Sequence, residues 1–108
     1  MIAAAMADKV EQFKKFIEQY PDQPFARYAL AMELRKAQRY DESLAAFQDL
    51  SERAPDYVAT YLMAGQTAEQ AGKPDVARTW YQRGLEAAGK KGDGKALGEL
   101  QDALGALG

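Results

Sequence analysis

The chain contains neither cysteine nor histidine. The first absence removes disulfides, thiolate metal sites and cysteine nucleophiles, so stability must come from packing. The second removes the commonest general base, the imidazole metal ligand and the side chain that titrates near neutrality. Together they argue against an enzyme, and they imply neither cofactor nor metal centre. An excess of one charge is missing too: 14 Lys and Arg stand against 16 Asp and Glu, a net charge of −2. No basic surplus exists to neutralise a phosphate backbone, so nucleic acid is not an expected partner. No stretch approaches the roughly 20 apolar residues of a membrane-spanning helix, which excludes the membrane as a partner of that kind. The opening Met1-Ile2-Ala3-Ala4-Ala5-Met6-Ala7 is apolar but lacks a basic leader and runs straight into Asp8-Lys9. It is too short for a secretory signal, and a soluble cytoplasmic protein is the expectation.

What is present is helical periodicity. Hydrophobic residues make up 47% of 108 positions, enough for one domain with a modest continuous core. Residues 8–20 place Val10, Phe13, Ile17 and Tyr20 at spacings of three and four, with Asp8 as N-cap and Pro21-Asp22-Gln23-Pro24 as the stop. From Phe25 to Ala37 two apolar stripes run side by side, Leu30, Ala31 and Leu34 on one, Phe25, Tyr28 and Met32 on the other. A second run through Leu44, Phe47 and Leu50 ends at Ala54-Pro55, which implies a helical hairpin. The cycle repeats over 57–71 and 74–88, divided by Gly72-Lys73-Pro74, and Gly89 to Gly94 then breaks the chain before a final helix at 95–107. No segment alternates with the two-residue period of a strand.

Pro21 and Pro55 are 34 residues apart, as are Phe13 and Phe47, and Phe47 and Tyr81. A fixed period of this kind marks a stacked repeat. Unit 24–57 carries Leu30-Ala31, Leu34, Tyr40, Phe47 and Pro55, and unit 58–91 carries Tyr61, Gly65, Gly72, Ala77, Tyr81 and Gly84. In this register the chain resembles the tetratricopeptide repeat family, with Arg27 where a large aromatic is usual, Ser43 where alanine is, and Gly89 where proline is. The resemblance implies an all-α, right-handed α-solenoid of tandem helical hairpins: a half repeat at 8–23, repeats at 24–57 and 58–91, and a C-terminal capping helix within 92–108. Small residues at Ala31, Ser43, Gly65, Ala77 and Gly84 are expected where helix backbones approach, with Phe47, Tyr61 and Tyr81 filling the gaps.

The resemblance also implies a function, namely binding a protein or peptide partner in a concave groove lined by the first helix of each hairpin. On those faces lie Phe25, Tyr28, Met32 and Arg35 of the first unit and Leu62, Met63 and Gln66 of the second. Chaperone-binding relatives place lysines and asparagines there to clamp a terminal carboxylate; here Tyr28, Met32 and Met63 occupy the matching points. An apolar, methionine-containing groove suits a hydrophobic helix or extended segment, with Arg27 and Arg35 expected at its rim. Two other readings stay open: the chain's own termini cover this stripe, or the same surfaces pair two copies as a homodimer or larger structural assembly. Asp41-Glu42 reads as helix N-terminal capping with favourable interaction with the helix dipole, Lys14-Lys15 and Lys90-Lys91 as solvated surface, and Trp80 as packing beneath the C-terminal helix.

Overall fold

The computed structural model describes residues 2–108, with side chains from Lys9 onward. Its elements are α1 (Ile2–Gln19), α2 (Pro24–Lys36), α3 (Tyr40–Arg53), α4 (Ala59–Gln70), α5 (Pro74–Lys91) and α6 (Gly94–Leu107). There is no strand among the described residues. Prolines set two of the starts: Pro24 follows an extended Gln23, and Pro74 opens α5, each where a missing N–H costs nothing. At the far end of α5, Gly92 takes φ +72°, and the side chain of Asp93 then caps α6 by accepting from the Ala96 N–H at 3.0 Å.

Three local expectations need correction. Asp8 does not cap α1, because the helix already runs from Ile2. Gly89, Lys90 and Lys91 continue α5 instead of breaking it; in a helix with negative φ a glycine only lowers propensity, and the break waits for Gly92. Asp41 and Glu42 lie in the first turn of α3 without capping it. There they meet the helix dipole favourably, while Asp41 accepts from Lys73 at 2.6 Å and Glu42 pairs with Arg39.

α2 packs on α3 and α4 on α5 as hairpins; α1 lies against α2, α4 against α3, and α6 against α5 and the edge of α4. The result is a slab of 38 × 29 × 18 Å. Both hairpin turns share one geometry. Arg39 N–H reaches the Leu34 carbonyl and Lys73 N–H the Ala68 carbonyl, both at 2.9 Å, with Gln38 and Gly72 in the left-handed region at φ 61° and 74°. These two residues are 34 apart, so Gln38 does with a side chain what Gly72 does without one.

The small residues sit where backbones meet. Ser43 Oγ donates to the Ala31 carbonyl at 2.7 Å, both residues fully buried. A Cβ on Gly65 would stand within 2.6 Å of three carbons of the Tyr81 ring, and one on Gly84 would lie 2.7 Å from Tyr61 Cβ and 2.8 Å from Leu100 Cδ2. Tyr81 is held there by the bond from its hydroxyl to Glu69. Burial raises the Tyr81 pKa strongly, and the Glu69 hydrogen bond and charge add to it. Trp80 is buried against Tyr61, ring centroids 6.2 Å apart, with the Arg83 guanidinium 4.4 Å over its ring, and Gly84, one turn on, lies against Leu100 of α6.

Arg27 is also not where it was expected. It is 5% exposed, and so not at any rim. Its Nε donates to Asp49 Oδ2 at 2.9 Å on α3, and a guanidinium N–H bonds the Pro21 carbonyl. Its aliphatic stem fills the space of the usual aromatic, and the head finds partners that a phenyl ring could not use. Burial raises the Asp49 pKa, but hydrogen bonds from Arg27 and Arg53 outweigh it and hold the carboxyl below its ordinary value.

Candidate peptide-binding groove

The first helices of the two hairpins, α2 and α4, carry all seven candidate residues. On α2, Phe25, Tyr28 and Met32 follow one another at three and four residues, which puts them on one helix face. Phe25 is 65% exposed, with no partner ring among the described residues. Tyr28 and Met32 are half-buried and rest on the core. The Tyr28 ring is clamped from below by edge contacts to Phe47 at 6.2 Å and Tyr57 at 5.7 Å. Burial, reinforced by Tyr57 and opposed by Arg35, raises the pKa of its hydroxyl. This half-buried ring is therefore neutral and braced by two aromatic neighbours.

Arg35 is a strut between the two first helices. Its Nε donates to Gln70 Oε1 at 3.0 Å and its Nη1 to Met63 Sδ at 3.6 Å, both on α4. The surface divides around it. Met32 and Arg35 line a depression of about 450 Å³ with Glu33, Gln38, Tyr40 and Gln70. Leu62 and Met63 line a different one, about 260 Å³, whose opposite wall is α6 through Asp93, Ala96, Glu99 and Leu100. Phe25, Tyr28 and Gln66 line neither. The C-terminal helix thus walls one side of the second-repeat end of the apolar stripe, where Leu62 and Met63 are half-buried, while Phe25 at the first-repeat end stands exposed.

A larger cleft of about 510 Å³ escaped the sequence reading. It lies between the α3–α4 turn and the second half of α5, with Tyr61 and Arg83 at its base and Asp56, Glu86, Lys90 and Lys91 around it. Arg83 is fixed there by Trp80, by Gln48 Oε1 at 3.0 Å and by Ser51 Oγ at 2.8 Å. Trp80 and Arg83, three apart on one helix, were the available signal. Among the described residues no three Asp or Glu converge to hold a metal ion, and no helix is long and apolar enough to cross a membrane.

Stacked antiparallel hairpins, with glycine–aromatic contacts inside the second and a helix closing one end, define an α-helical repeat solenoid. The family model described as tetratricopeptide repeat matches residues 28–91, more than half of the chain. The solution structure of a tetratricopeptide repeat domain protein from Salinibacter ruber is similar at 42% identity and a TM-score of 0.74, covering 81% of this chain and 88% of that one. A crystal structure described as the same domain gives 42% identity and 0.71 over 79% and 96%. A protein from Bordetella parapertussis, 26% identical, superposes with a TM-score of 0.76 over 91% and 85%. No curated protein matches. The chain belongs to the tetratricopeptide repeat family, whose members are in general protein-interaction modules.

Proposed function

We propose that this protein is an adaptor that holds a hydrophobic segment of a partner polypeptide across α2, with Phe25, Tyr28 and Met32 as the apolar contacts and Arg35 at the edge. One observation supports this reading above the others: Phe25 stands 65% exposed in line with a Tyr28 ring fixed by Phe47 and Tyr57. An exposed aromatic next to an immobilised one binds at low entropic cost, because little side-chain freedom remains to be lost. Leu62, Met63 and Gln66 extend the surface toward α6, where the segment meets the wall of the smaller depression. The shape-adaptable methionines suit a run of aliphatic side chains.

The test is selection of a binding peptide from a random display library, followed by calorimetry with wild type and a Phe25→Ala/Met32→Ala variant. Phe25 is too exposed to carry the fold, whereas Met32 is half-buried against the core, so circular dichroism and a thermal melt check that the variant stays folded. Binding should weaken by roughly 2 kcal/mol and depend little on salt. Selected peptides that are acidic and salt-sensitive, or that bind the variant equally well, would refute the groove.

A further inference from the structure

Shifted by the 34-residue period, the cleft of about 510 Å³ beside α5 has a counterpart in the first hairpin. Pro55, Asp56, Tyr61 and Ala87 of the cleft correspond to Pro21, Asp22, Arg27 and Arg53, which line a depression of only about 160 Å³. Even a contact at the base is repeated: the Tyr61 hydroxyl donates to the Pro55 carbonyl at 2.6 Å, where a guanidinium N–H of Arg27 donates to that of Pro21. The first site is closed by its own ions, because the Asp49 carboxylate accepts from Arg27 at 2.9 Å and from Arg53 at 3.3 Å.

Departures from the period undo that closure in the second hairpin. Arg83 stands in the place of Asp49, so a cation replaces the carboxylate. Ala87 stands in the place of Arg53 and leaves its volume empty. Gly89 stands in the place of Pro55, so α5 runs on to Lys91 whereas α3 stops at Arg53, and the added turn carries Lys90 and Lys91 along the cleft. Among the described residues the partners of Arg83 are uncharged: Gln48, Ser51 and the rings of Trp80 and Tyr61. Its hydrogen bonds take one N–H from each terminal nitrogen, which leaves the Nε–H and further N–H groups for a two-point contact with a carboxylate. Lys90 pairs with Glu86 at 3.3 Å, and Lys91 reaches the backbone carbonyl of Asp56 at 3.2 Å. Arg83, Lys90 and Lys91 against Asp56 and Glu86 leave the lining one net positive charge, in a chain whose net charge is −2.

We propose that this cleft binds a Glu or Asp side chain from an acidic segment of a partner polypeptide, with Arg83 holding the carboxylate and Lys90 and Lys91 steering the acidic residues beside it. The incoming carboxylate supplies to the second hairpin the charge that Asp49 supplies within the first. Pro55, Tyr61 and Ala87 give its aliphatic stem an apolar bed. A phosphate dianion fits less well, because it exceeds the single positive charge and meets Asp56 and Glu86. The site is built on α5 and the α3–α4 turn and does not rest on the α2 groove.

NMR titration of the full chain tests it, with a soluble peptide of Glu, Leu and Gly residues as probe and its Gln-for-Glu counterpart as control. The Glu peptide should shift the Arg83 Nε–H resonance and bind more weakly as salt rises, and the Gln peptide should do neither. Arg83→Gln should raise the dissociation constant about tenfold or more, and Lys90→Gln with Lys91→Gln about threefold. Because Arg83 also braces α5 against α3, Ala87→Glu is the second variant. It places a carboxylate one turn from Arg83, in open space, and should block the probe with an undiminished Tm, while Ala87→Gln, equal in bulk, should weaken it far less. Used as bait, Ala87→Glu also keeps this cleft from contributing acidic sequences to a selection aimed at α2. A Glu peptide that leaves the Arg83 resonance unmoved would overturn the proposal. So would an Ala87→Glu variant that binds like wild type, or inorganic phosphate that shifts the same resonance at lower concentration than the peptide.

Discussion

Replacing Gly65 by alanine adds one methyl group at the closest helix contact in the hairpin α4–α5. Two effects oppose each other. Alanine favours the helix over glycine by about 1 kcal/mol, which alone would stabilise. Against this, the new Cβ would lie within 2.6 Å of three carbons of the Tyr81 ring, well inside van der Waals contact. Overpacking of a filled core costs roughly 1–3 kcal/mol, and the upper end applies when the neighbour cannot retreat. Tyr81 cannot, because it is fully buried and its hydroxyl is tied to Glu69. The net loss should be about 2 kcal/mol, or roughly 10 °C in Tm for a domain of this size. Gly89→Ala is the internal control: it is also helical, but a Cβ there meets nothing within 4 Å, so it should gain about 0.5–1 kcal/mol. Thermal and urea melts of both variants, with equal m-values, give the comparison. If Gly65→Ala melts at or above wild type, the packing account of the small residues is wrong.

Other consequences follow from individual contacts. Asp49→Asn removes the carboxylate facing the buried Arg27 and should destabilise by about 1–3 kcal/mol in urea melts, whereas Arg27→Met, which removes the buried charge itself, should cost less. The Tyr81 hydroxyl has its pKa raised in the folded state, first by burial and then by Glu69, so its contribution is complete below the unfolded value near 10 and is lost as pH rises above it. Stability should therefore fall in alkaline solution, and Tyr81→Phe should flatten that fall. Deleting residues 94–108 uncovers Gly84, against which Leu100 packs; the shortened chain should melt at lower temperature and bind a hydrophobic dye.

The fold was legible because a 34-residue period places Phe13, Phe47 and Tyr81 on one phase, and stacking is the way a repeat buries its apolar face. What stayed hidden depends on partners distant in sequence. Arg27 reads as a surface residue until Asp49, 22 residues on, is seen beside it. Helix periodicity assigned Phe25, Tyr28 and Met32 to one face, yet nothing local reveals that α6 walls the Leu62–Met63 end or that Arg35 divides the surface. The break assigned to Gly89 failed for a simpler reason: composition registers glycines, but only the backbone angle distinguishes one that ends a helix, Gly92, from one that merely weakens it.

Two arginines, one in each layer, join neighbouring hairpins: Arg35 spans α2 to α4, and Arg83 spans α5 to α3. Because they sit in different layers, hinging that slackens one strut strains the other, and sliding strains both. The pair acts as diagonal bracing in a truss, fixing the angle at which one hairpin follows the next. On the proposed groove reading, a ligand would meet a jaw whose width these two struts help to set, and discrimination between ligands would fall to which side chains fit that width.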